Sequence, residues 1–191
     1  MVLTADVMVN FGGEAEEQKK SFRDLGLLLL LGISLVYMIM AAQFESLLDP
    51  FIIMFSIPFT FTGVILGFLL TNTTLSIVSY LGLIMLMGIV VNNAIVLISY
   101  IIILRARGFS MYDAVTQAGK DRLRPVLMTT ITTLAGLLPL ALSSGEGSES
   151  WRPLGITMFG GLSLSTIITM LFVPTLYAVF HRKARLAPGG K

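Results

Sequence analysis

Two adjacent carboxamides, Asn92 and Asn93, sit inside the apolar run MGIVVNNAIVLISY (Met87 to Tyr100). A carboxamide donates and accepts hydrogen bonds. In hydrocarbon it needs a partner from another helix or from trapped water. Neighbouring side chains on a helix point about 100° apart, so one asparagine can meet one helix while the other meets a second helix or water. Thr129, Thr130, Thr132 and Thr133 put four hydroxyls into another apolar run. Thr129 and Thr133, four apart, share a face, although any of the four can bond back to its own helix. Arg122 and Arg124 stand at the start of that run, where arginine snorkels to the interface. Such groups tie helices together or line a water path. They are not a nucleophile or a metal-ligand set. The sequence has no HExxH, GxSxG, P-loop or pair of intramembrane aspartates, and no cysteine. Neither an enzyme nor a metal or cofactor site is expected. The stretch GEGSE (Gly145 to Glu149) reads as a hydrated turn, and no basic patch interleaved with aromatics points to nucleic acid.

The elements that must hold these residues follow from composition. The 191 residues are 55% hydrophobic and 13% charged, against about 25% charged in soluble domains. Long apolar segments fall at about Leu25–Ala42, Phe51–Leu70, Leu75–Leu104, Pro125–Leu142 and Leu154–Phe180. A span needs ~20 residues to cross ~30 Å of hydrocarbon, and the runs do not alternate as barrel strands do. The fold class is therefore all-α: a polytopic bundle of five transmembrane helices, over about 22–182. The link Arg105 to Arg124 carries Met111, Ala114, Val115 and Ala118 at helical spacing behind Ser110 and Asp113. That pattern predicts one short amphipathic surface helix at about 110–121. Gly82, Gly88, Gly136, Gly155, Gly160 and Gly161 are candidates for close helix contact. Pro58, Pro139 and Pro174 interrupt the ladder within spans.

Charge sets the sidedness. Arg105, Arg107, Lys120, Arg122 and Arg124 share one side with the tail residues Arg182, Lys183, Arg185 and Lys191, while Lys19, Lys20, Arg23 and Arg152 lie opposite. The basic side, with the tail 183–191, is expected in the cytoplasm and the N-terminus outside. The first residues lack the basic and apolar regions of a signal peptide. An odd number of spans with an external start implies polypeptide upstream.

The segments GGEAEEQKKSF, AAQFESLLDPFIIM, GIVVNNAIVLISY, RLRPVLMTTITTLAGLLPLAL and FVPTLYAVF together resemble the C-terminal membrane half of a resistance-nodulation-division exporter, hydrophobe/amphiphile efflux branch. The resemblance implies spans eight to twelve of a twelve-span protomer in the bacterial inner membrane, with residues 1–21 as the remnant of a periplasmic domain. It implies a trimer with periplasmic adaptor and outer-membrane partners. It also implies a proton relay in which Asn92 stands at a usual lysine position, Asn93 at the neighbouring asparagine, Arg122 at a relay arginine and Thr129 at a relay threonine. The family's aspartate pair lies on a span outside this sequence. The chain alone is therefore expected not to transport. Its partner would be the N-terminal half or a second copy meeting it near Asn92. The alternatives are a stand-alone protein that modulates a full-length pump and a small channel lined by the asparagines and threonines.

Overall fold

The computed structural model describes residues 13–145 and 147–184. The expected tail beyond 184 and the first twelve residues of the N-terminal remnant lie outside the described residues. Six helices follow in order: α1 Gly13–Phe44, α2 Leu48–Met54, α3 Ser56–Thr71, α4 Ile77–Ala106, α5 Met111–Ala141 and α6 Ser148–Ala184. No strand occurs among the described residues. α2 and α3 together make one span, so five stretches are long and apolar enough to cross a membrane.

The break in the second span has a local cause. Pro58 has no N–H to offer the carbonyl of Met54, and its ring crowds that carbonyl. The hydrogen-bond ladder is interrupted at the single residue Phe55, which keeps right-handed dihedrals (φ −62°, ψ −17°), and resumes at Ser56. Asn72, in the left-handed region at φ 49°, closes α3. Ser76 opens α4 through a capping box: its hydroxyl accepts from the Ser79 N–H at 3.2 Å, and Ser79 Oγ accepts from the Ser76 N–H at 2.6 Å.

The expected surface helix is helical, but it is not separate. Ser110 caps it as the sequence predicts, with the Asp113 N–H donating to Ser110 Oγ at 3.2 Å. From there α5 runs without a break through Pro125 into the fourth span. Gly119 stays helical, and no residue before Pro125 takes a terminating conformation. Its 31 residues extend about 46 Å, longer than ~30 Å of hydrocarbon. The amphipathic stretch is that projection.

α6 is the hub and touches α2, α3, α4 and α5. Lipid is as apolar as leucine, so close fit rather than water exclusion joins the helices. The tightest crossing joins α3 to α6: a Cβ at Gly63 would lie 2.7 Å from the Gly160 carbonyl oxygen, and one at Gly160 would lie 2.8 Å from that of Gly63. Gly161 sits under Leu86 and Val64, Gly82 faces Thr157, and Gly155 meets the backbone of Ala141. Gly88 and Gly136, also expected at helix contacts, face open space within this chain. Two apolar clusters result. One, around Ile52, Ile53, Ile98, Ile101 and Val173, lies toward the basic end. The other, around Val64, Leu86, Val90 and Leu162, lies toward the opposite end.

Candidate functional site

The two asparagines look in different directions. Asn92 is exposed, one turn beyond Gly88 on the open stripe of α4. Asn93 is half-buried and lines a small cavity between α4, α5 and α6, together with Val126, Ser165, Thr166 and Thr169. Its volume of about 10 Å³ is at the lower bound for one water. Thr169 Oγ1 is buried and has no hydrogen-bond partner among the described residues. Beside it, the hydroxyls of Thr130 and Thr166 meet across the α5–α6 interface at 3.3 Å. The result is a polar seam inside the bundle, with Asn93 at one edge.

The other expected relay residues do not join that seam. Thr129 is exposed and bonds back to its own helix, donating toward the carbonyls of Pro125 and Val126 at 3.2 and 3.0 Å. Thr133 does the same to the carbonyl of Thr129 at 2.8 Å. Arg122 is half-buried, and its guanidinium lies 4.7 Å above the Tyr100 ring. The Tyr100 hydroxyl donates to Asp121 at 2.8 Å, and Gln117 donates to the other oxygen of that carboxylate at 2.9 Å. This cluster joins the end of α4 to the start of α5. Tyr100 is seven residues past Asn93, so Arg122 is engaged about 10 Å along α4 from the seam.

The seam can donate and accept hydrogen bonds but holds no charge, since every member is a hydroxyl or a carboxamide. A proton would need an ionisable partner from elsewhere to be held there. Thr130 and Thr166 provide a direct check on its strength. A double-mutant cycle with Thr130→Val and Thr166→Val, read by unfolding in mixed micelles, is expected to give a coupling of about 0.6 kcal/mol. Zero coupling would mean that the hydroxyls do not bond to each other.

Sequence reading missed Ser165, Thr166 and Thr169. The signal was present in SLSTIIT (Leu162 to Met170 contains it), where 165, 166 and 169 fall on one helical face. It also missed Asp49 and His181, which fall just outside the apolar runs Phe51–Leu70 and Leu154–Phe180. The structure brings these two within 3.3 Å at the basic end of the bundle.

Comparison with known proteins fits this architecture. Over 185 residues the chain is 42% identical to the swarming motility protein SwrC of Bacillus subtilis (strain 168), covering 96% of this chain and 18% of that protein. Two crystal forms of a heavy metal efflux pump superpose with TM-scores of 0.78 and 0.77 at 32% and 30% identity. They cover 87% and 88% of this chain, and this chain covers 16% of each. The chain thus spans less than a fifth of the length of these relatives. The family model for AcrB/AcrD/AcrF matches residues 1–181; with the five-span bundle and the motifs in their expected order, the chain belongs to the AcrB/AcrD/AcrF family of efflux transporters.

Proposed function

We propose that this chain supplies spans eight to twelve of a proton-coupled exporter of amphiphiles and does not transport by itself. The observation that carries the reading is the open face of α4 and α5. Gly88, Asn92, Thr129, Thr132 and Gly136 are all exposed there. Small and polar residues at that depth suit contact with another helix rather than lipid. No aspartate, glutamate, lysine or arginine accompanies them between Ile77 and Tyr100 or between Pro125 and Ala141. The proton-binding carboxylates would come from helices covering this face, with Asn92 as their hydrogen-bonding neighbour. Arg122 and Thr129 would complete the route only after Arg122 leaves Tyr100. The basic end would lie in the cytoplasm and the membrane would be the inner one. Assembly into a trimer with adaptor and outer-membrane partners belongs to the same reading.

An amphiphilic cargo is supported by a groove of about 460 Å³ between α3, α5 and α6, lined by Gly67, Leu70, Leu138, Phe159 and Ile167 among others. It is apolar and within the size range of small-molecule sites. The structural relatives are described as heavy metal pumps, so cargo is the part of the reading that needs its own assay.

Proteoliposomes holding the chain alone are expected to show no dye efflux driven by a pH gradient. Efflux above that of empty vesicles would overturn the proposal. A cysteine at position 92 that cross-links to itself in membranes would place a second copy, not a different half, over the open face.

A further inference from the structure

The chain has one histidine, and α6 delivers it to a buried acid. Asp49, in the first turn of α2, is 5% exposed. Its Oδ1 lies 3.3 Å from His181 Nε2 and has no hydrogen-bond partner among the described residues. One turn earlier on α6, the Tyr177 ring stacks on the imidazole with centroids 4.1 Å apart and planes at 24°. The Tyr177 backbone carbonyl lies 3.2 Å from His181 Nδ1.

These contacts constrain where a proton is held. A carbonyl oxygen only accepts, so a hydrogen bond at that position requires the proton on Nδ1. A neutral imidazole has one N–H, so a neutral ring would aim the Nε2 lone pair at a carboxylate oxygen. In a buried site that arrangement repels. One proton between Nε2 and Oδ1 removes the conflict, whether it is drawn as imidazolium with carboxylate or as imidazole with carboxylic acid. We infer that Asp49 and His181 form a proton-binding site at the basic end of the bundle, distinct from the asparagine seam, which holds one shared proton and thereby fastens the end of α6 to the corner between α1 and α2.

Ser46 is the one other polar side chain against the Asp49 carboxyl among the described residues. At the corner, Ser46 Oγ accepts from the N–H groups of Leu48 and Asp49 at 3.3 and 3.4 Å, and Glu45 is exposed. Tyr37 on α1 donates to the Leu47 carbonyl at 3.2 Å. α3 contains no titratable residue. Arg105 on α4 donates to the Phe109 carbonyl at 3.2 Å, and Arg107 is exposed. On α5, Asp121 and Arg122 are engaged with Tyr100, while Asp113, Lys120 and Arg124 are exposed. Arg182 and Lys183 follow His181 in sequence; their side chains lie outside the described residues. The clamp holds while the shared proton is bound. Its loss at high pH leaves two facing lone pairs, and the clamp loosens.

Because the histidine is unique, labelling the full chain with ¹⁵N-histidine in phospholipid nanodiscs gives one pair of ring signals. In the wild-type chain Nδ1 is expected to be protonated at neutral pH and Nε2 to shift as a nitrogen sharing a proton. Asp49→Asn should weaken proton binding at least tenfold, and Glu45→Gln should leave it unmoved. A bare Nδ1 in the wild-type chain, or an Asp49→Asn midpoint equal to wild type, would overturn the inference. The wild-type spectrum needs no variant, so it decides the question even if Asp49→Asn does not fold.

Discussion

Gly63→Ala is expected to destabilise the bundle by about 2 kcal/mol, while Gly88→Ala leaves stability unchanged or slightly raised. The chemical change is the same and both positions are helical, so both gain the helix propensity of alanine, about 1 kcal/mol in soluble hosts. They differ in what the added methyl meets. At Gly63 it would come 2.7 Å from the Gly160 carbonyl oxygen and 2.9 Å from Leu164 Cβ. Neither atom can swing aside, because one is backbone and the other is the root of a side chain. α3 must therefore lift from α6 along the crossing. At Gly88 nothing lies within 4 Å. Unfolding of the two variants by SDS titration from mixed micelles separates the cases. Equal stabilities would mean that the α3–α6 crossing is not a tight seat.

The second large effect is expected at Asp49 and His181. Removing one partner of a buried polar pair leaves the other without compensation, at about 1–3 kcal/mol for neutral groups and more for charged ones. His181→Phe should cost more than Asp49→Leu, because it strands Asp49, which is 6% exposed against 27% for the imidazole. The double variant Asp49→Leu with His181→Phe should recover most of that loss, since an apolar pair of similar size leaves no buried charge. Non-additivity of this sign identifies the interaction; additive losses would mean that the groups act independently. Stability of the four chains under one denaturant series is sufficient.

Much of the architecture was legible because bilayer thickness imposes a length on any spanning apolar run. All five runs became helices. Their ends were less legible. The apolar run of the first span starts near Leu25, yet α1 begins at Gly13, because polar residues such as Glu16, Glu17 and Lys19 are good helix formers outside the membrane. The surface helix merged with the fourth span for a related reason: amphipathicity says which face is apolar, not where the helix ends. The divergence of Asn92 and Asn93 was readable from the 100° step between neighbours. Which of them faced inward was not, since that depends on α6. The Asp49–His181 contact was hidden by its separation of 132 residues, and each residue at the edge of an apolar run looks like an ordinary interfacial group. The nearest clue was the spacing of His181 one turn after Tyr177, an aromatic able to shelter the ring.

The discontinuity at Phe55 separates two fastenings that would otherwise share one rigid rod. α6 keeps its helical run past Pro174 and carries both Gly160 and His181, 21 residues and about 31 Å apart. The opposing strut is in two pieces: Asp49 belongs to the short upper arm and Gly63 to the long lower one. The assembly is thus a brace with a single elbow. The elbow is the point at which the strut can bend at the basic end without opening the glycine seat across the bilayer.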